Sequence, residues 1–188
     1  MKKEPWNDST KKAKELKIED FGLLDEIRKI ARPLREAKSR SEAERALENI
    51  VSSNGTIKQS AVELKSKSGV SAFLRRSSIG KLVSGIQEKG MPKEALWQAA
   101  ANIDILFANS IEPWKFDLNP NKNNDGLKDR LILYAPMEYI GRILPVKITV
   151  KEFLDPLAGA KLYSIEVVDS DLDKKKEDAG TLTAINPK

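Results

Sequence analysis

The sequence predicts an α+β domain in which N-terminal helices pack on a twisted antiparallel β-sheet. Three observations carry that expectation. Apolar residues recur at helical spacing up to about residue 107, and the period changes to two beyond the turn-rich loop Asn119-Pro120-Asn121-Lys122-Asn123-Asn124-Asp125-Gly126. The alternating segments after that loop are joined by short connections, which makes successive strands antiparallel neighbours. A chain of 188 residues suits one ordinary domain with tails, and no internal repeat is found.

Residues 1–17 hold few periodic apolar side chains and read as a flexible basic arm. Residues 18–54 read as a helical hairpin added to the main domain. Its first helix carries Phe21, Leu23, Leu24, Ile27, Ile30, Ala31 and Leu34 and is ended or kinked at Pro33. Its second opens on Ser41-Glu42-Ala43-Glu44, the form of a capping box, presents Ala43, Ala46, Leu47, Ile50 and Val51 on one face, and closes at Asn54-Gly55.

The main α+β domain is expected over residues 55–168. Thr56 to Leu64 shows no clean alternation and reads as irregular or as a weak strand. Ser77 or Ser78 caps a helix bearing Ile79, Leu82, Val83 and Ile86, and Gly90-Met91-Pro92 breaks the chain. Ala95, Leu96, Ala99, Ala100, Ile103, Leu106 and Phe107 then give one continuous helix. Strands follow at about Leu131–Met137, at Ile143–Lys151 after the turn Ile140-Gly141-Arg142, and at Lys161–Val168 after the loop Asp155 to Gly159. In the last strand, Leu162 and Val168 oppose Tyr163, Ile165 and Val167. From Asp169 the chain is too polar to offset its ordering entropy, so residues 169–188 read as a disordered tail.

Composition narrows the chemistry. The chain has no cysteine and no histidine, which removes disulfides, thiol nucleophiles, the usual zinc sites and histidine-based acid–base pairs. Carboxylates such as Asp125 and Asp129 show no metal-site spacing, so no metal and no cofactor are expected. No apolar stretch approaches the roughly 20 residues needed to cross a bilayer, and no apolar segment follows the N-terminus, which suggests a cytoplasmic protein without a membrane partner and leaves export by another route open. The net charge is +5, with 33 Lys and Arg against 28 Asp and Glu. Between Ser53 and Lys93, eight basic residues (Lys58, Lys65, Lys67, Arg75, Arg76, Lys81, Lys89 and Lys93) stand against two acidic ones, Glu63 and Glu88, so a polyanion is the natural partner.

Two segments can hold a phosphate. In Ile143–Lys151 the even positions are aliphatic, so the pleat sends Lys147, Thr149 and Lys151 to the opposite, open face, about 7 Å apart along the strand. Two ammonium groups around a hydroxyl suit phosphate binding and phosphoryl transfer, although an ordinary solvated sheet face carries the same residues. In Arg75-Arg76-Ser77-Ser78-Ile79-Gly80-Lys81-Leu82-Val83-Ser84, Ser77 and Ser78 sit at a helix start, with Lys81 and then Ser84 as successive neighbours. A helix cap with a surface lysine is the plainer alternative. Ser78-x-x-Lys81 without companion motifs is not a β-lactamase signature, and Gly80-Lys81 is not a phosphate-binding P-loop.

Leu133-Tyr134-Ala135-Pro136-Met137, Pro145-Val146-Lys147-Ile148-Thr149-Val150-Lys151-Glu152 and Lys161-Leu162-Tyr163-Ser164-Ile165-Glu166 resemble the end of phage-encoded large polyvalent protein associated domains of the third class. Together with the helices at Ser77 to Ser84 and Ala95 to Ile111, the resemblance covers about residues 70–168. It implies the barnase–EndoU–colicin–RelE (BECR) superfold, helices packed on an antiparallel sheet, and a nuclease of phage or mobile-element origin. Many members of that superfold cleave RNA without metal, the ribose 2′-hydroxyl acting as nucleophile. The resemblance implies RNA as the favoured partner and an inhibitor or immunity protein as another. It points to Lys81, Ser84, Lys147, Thr149 and Lys151 for catalysis and to Tyr134 for base stacking or proton transfer, while Arg75, Arg76, Ser77 and Ser78 of the basic helix-start segment are the expected nucleic-acid contacts. Relatives often place a histidine in or before the Tyr-Ala-Pro strand, where this chain has Asp129-Arg130-Leu131. Without it a Lys, Tyr or carboxylate must serve as base, and an ordinary lysine, with a pKa of about 10.4, must be desolvated or crowded by cations to do so. The alternative is a catalytically inactive module that binds nucleic acid or a partner protein.

Overall fold

Strands β4 (Leu127–Tyr139) and β5 (Arg142–Phe153) form a long antiparallel hairpin, paired from Leu127 opposite Phe153 to Tyr139 opposite Arg142. The two-residue turn between them puts Ile140 at φ 49° and Gly141 at φ 71°. Positive φ at both central positions is what a tight hairpin needs to match the strand twist. Alternation then buries Leu131, Leu133, Ala135 and Met137 together with Leu144, Val146, Ile148 and Val150. The computed structural model describes residues 29–52 apart from 33, 60–85, 90–117, and 127–168 apart from 154, 156 and 158. The basic arm, Phe21 to Ile27, Asn54-Gly55, Ile86, the Asn119–Gly126 loop and the tail from Asp169 lie outside these residues.

Two strands exist that the sequence pattern does not predict, and the weak strand it allows within Thr56 to Leu64 forms at residues 61–65. β1 (Ala61–Lys65) and β2 (Ser71–Arg75) form a hairpin, and β3 (Ile111–Asp117) pairs with β4. The β1–β2 turn is built on Ser66, whose N–H donates to Val70 O at 2.9 Å while its Oγ accepts from Val70 N at 3.0 Å. Val62, Leu64, Ala72 and Leu74 alternate into the core, but each run is only five residues long, too short to stand out by period. With β6 (Lys161–Val167) the sheet has the order β1-β2-β6-β5-β4-β3. It is mixed, not wholly antiparallel, because β2 runs parallel to β6 through Phe73 opposite Lys161.

Helix α1 (Arg40–Ser52) buries Ala43, Leu47, Ile50 and Val51, as its period predicts. Its cap lies two residues earlier than expected. Glu42 N donates to Ser39 Oγ at 3.2 Å and the Glu42 carboxylate accepts from Lys38 N at 2.6 Å, whereas Glu44 pairs with Arg40 at 2.8 Å. Ser39-x-x-Glu42 has the same spacing as Ser41-x-x-Glu44, so the pattern alone does not choose between them. The buried side chains of α1 join the same hydrophobic cluster as the sheet, so this helix shares the main core.

The remaining helices are shorter than the apolar pattern implies. A 3₁₀ turn (Arg76–Ser78) leads into α2 (Ile79–Val83), and the expected long helix is divided into α3 (Lys93–Ala101) and α4 (Ile103–Ala108) at Asn102. Asn102 is 1% exposed and its carboxamide is fully used. It accepts from Leu34 N and Arg35 N, both at 3.0 Å, and donates to Arg35 O at 2.8 Å and Gln98 O at 2.9 Å. Gln98 accepts from Ala37 N at 3.0 Å, and Arg35 grips Asp104 through both guanidinium nitrogens at 2.7 and 2.9 Å. These bonds satisfy the N–H groups of Leu34, Arg35 and Ala37 and the Arg35 carbonyl where no helix or strand does so.

Candidate nucleic-acid interface

On β5 the pleat that buries the even positions leaves Lys147, Thr149, Lys151 and Phe153 on the second face of the sheet. Register places Arg130 of β4 opposite Lys151, and Lys151 opposite Lys161 of β6. Three neighbouring strands therefore present one cation each in a single row. Like charges directly opposite one another destabilise a sheet, so such a row calls for compensating electron density or a bound anion.

Tyr163 supplies the first kind of compensation. Thr149 faces Ser164 and Val150 faces Leu162, which leaves Tyr163 as the extra residue of a β-bulge. The Lys151 ammonium lies 3.4 Å from the centroid of the Tyr163 ring, the Lys81 ammonium 4.1 Å, and the Arg130 guanidinium 5.8 Å. A second ring, Phe153, has the Lys161 ammonium over it at 4.7 Å. Cations over ring faces are held by the aromatic quadrupole. The ammonium of Lys151, then that of Lys81, holds the Tyr163 phenol below its ordinary value of 10.0, because both favour the phenolate. Arg130 Nε is buried and has no hydrogen-bond partner among the described residues.

The bulge also corrects the expected face of β6. Leu162, Ile165 and Val167 are all buried in the core, and Tyr163 points away from them. Uninterrupted alternation would put Tyr163, Ile165 and Val167 on one side; one extra residue shifts the phase and brings the two aliphatic side chains inward.

The sequence-assigned residues divide accordingly. Lys81 and Lys151 meet at Tyr163. Lys147 instead lies 3.5 Å from Glu166, its register partner on β6, and that carboxylate offsets its charge. Thr149 is only 6% exposed, between Ile132 and Ser164 in register, so the face expected to be open is packed there. Tyr134 is 3% exposed, which leaves no ring face for a base, and burial followed by the charge of Glu166 pushes its phenol up to about 12. The Ser84 hydroxyl donates to Gly80 O at 2.8 Å, a back-bond within its own turn that keeps it out of the cluster.

The helix start lacks the side-chain cap expected of Ser77 or Ser78. Helix α2 has five residues, too few for a strong terminal dipole, and Ser78 makes no side-chain cap bond. Ser77 is exposed, and exposed Arg76 donates to Ser52 Oγ at 3.1 Å. Arg75 is different: it follows Phe73 by two residues as Tyr163 follows Lys161, so both lie on the same face of adjacent strands.

Sequence reasoning missed Tyr163, Arg130, Lys161 and Phe153. One signal was present in Tyr163-Ser164, two consecutive non-core residues between Leu162 and Ile165, which break the period of two. Among the described residues no group of three or more acidic side chains comes together, and no helix is long and apolar enough to cross a membrane.

Fold and site together define an α+β domain whose sheet carries a cationic, aromatic-centred face. The chain belongs to the large polyvalent protein-associated domain 3 family, whose model matches residues 35–163. No curated protein and no solved structure matches it.

Proposed function

We propose that this domain binds RNA through the Arg130, Lys151 and Lys81 cluster and cleaves it by metal-independent transesterification centred on Tyr163. The convergence of three cations on one phenol carries the reading. The Tyr163 phenolate takes the proton of a ribose 2′-hydroxyl, and the resulting oxygen attacks the adjacent phosphorus. The bond from phosphorus to the 5′-oxygen breaks, and the exposed Lys81 ammonium returns a proton to that oxygen. The products are a 2′,3′-cyclic phosphate and a 5′-hydroxyl. Lys151 and Arg130 stabilise charge on the pentavalent phosphate. Phage or mobile-element origin and an inhibitor protein in the producing cell belong to the same proposal.

A second reading, binding without cleavage, draws support from Lys147, Tyr134 and Ser84, whose functional groups are paired, buried or back-bonded. Incubation of the purified protein with labelled tRNA and mixed RNA in EDTA separates the two. Cleavage lost in Tyr163→Phe and Lys151→Ala supports the enzyme. Salt-sensitive binding with intact RNA supports the module, and absence of both overturns the RNA reading.

A further inference from the structure

We infer that the basic sheet face selects unpaired RNA, with Phe153 and Lys161 forming a subsite for the nucleotide beside the phosphate held by Lys151. The inference rests on the reading that this face binds RNA. Phe153 lies two residues beyond Lys151 on the same side of β5, about 7 Å along the strand. Lys161, opposite Lys151 in register, reaches over the Phe153 ring at 4.7 Å. The row Arg130, Lys151 and Lys161 therefore runs across the strands, with an aromatic ring on either side of it: Tyr163 in the bulge and Phe153 at the end of β5.

Phe153 is partly exposed and has no polar atom, so its contribution to a ligand is ring contact alone. Cations that track a backbone, alternating with rings on which bases stack, are the physical basis of single-strand binding. In an A-form duplex the bases are stacked on one another and paired, and a protein meets mainly phosphates and 2′-hydroxyls. A duplex can use the cations of this face but not Phe153. An unpaired nucleotide whose phosphate meets Lys151 uses both.

The test is fluorescence anisotropy in EDTA with a short fluorescein-labelled 2′-O-methyl RNA, which lacks the attacking hydroxyl and stays intact. It is titrated single-stranded and annealed to its complement, with the full chain and with Phe153→Leu, Phe153→Trp and Lys161→Gln. The single strand is expected to bind about tenfold more tightly than the duplex, and Phe153→Leu to reduce single-strand affinity about tenfold with a much smaller loss for duplex. Phe153→Trp retains or strengthens single-strand binding, and Lys161→Gln weakens both forms and lowers the salt dependence. Equal affinity for the two forms, or equal losses in Phe153→Leu, overturns the subsite while leaving RNA binding standing. Failure of both forms to bind overturns the subsite and the reading beneath it.

Discussion

The Lys151 ammonium sits 3.4 Å from the centre of the Tyr163 ring, although the two residues are not partners in the strand register. Lys151 is aligned with Lys161, and Tyr163 reaches it because the bulge releases it from the ladder. The same extra residue turns Ile165 and Val167 into the core, so one local irregularity serves both packing and the site.

Tyr163→Phe keeps a ring for the cations and removes the ionisable oxygen. Cleavage is expected to fall at least about 100-fold, while RNA affinity changes by less than about threefold. Because Lys151 and Lys81 favour the phenolate, the rate should rise with pH and level off below 10.0, the ordinary phenol value. Lys151→Met should move that inflection upward. A single-turnover pH profile measures both, and a flat profile removes Tyr163 from the role of base.

Lys147 and Lys151 lie on one face of one strand, yet their replacement should differ in effect. Glu166 already offsets Lys147, so Lys147→Ala is expected to change RNA affinity by less than about threefold. Lys151→Ala removes a proposed phosphate contact and should weaken binding by about tenfold, with a shallower dependence on salt. Similar losses in the two variants would place the phosphate along the strand and away from Tyr163.

Asn102→Ala strips hydrogen-bond partners from Leu34 N and Arg35 N in a position 1% exposed. The cost is expected to be about 2–4 kcal/mol, read from urea unfolding. Asp104→Asn, in a partly exposed pair with Arg35, should cost about 1 kcal/mol or less. Equal costs would mean that the partly exposed ion pair holds the segment as strongly as the buried carboxamide does.

Ile140 has φ 49° and is 81% exposed. A β-branched residue is strained there, whereas asparagine tolerates the left-handed region. Ile140→Asn should stabilise the fold by about 1 kcal/mol and raise the melting temperature by a few degrees. A lower melting temperature would show that the Ile140 side chain contributes contacts worth more than the strain.

How much was legible beforehand depended on where the deciding interaction lies. The periods of α1 and of the β4–β5 hairpin are local, and the core face they predict is buried, although Ala46 is only partly so and Ile132, Tyr134, Pro136, Pro145 and Thr149 on the other face of the hairpin are buried as well. The break at Asn102 was hidden because Ile103, Leu106 and Phe107 continue the helical stripe; partners more than 60 residues away in sequence decide it. β1 was legible only as a weak strand and β2 not at all, because each is five residues long, and the parallel β2–β6 contact has no local signature.

Residue order was enough for the α+β class, the hairpin that sends Lys147 and Lys151 to one face, and the lack of histidine and cysteine chemistry. Tertiary structure alone decided which of those lysines stands with Lys81. Charge pairing and ring contact depend on positions across strands, and register, a single bulge and the placement of α2 set them: Glu166 falls beside Lys147, and Tyr163 falls between Lys151 and Lys81.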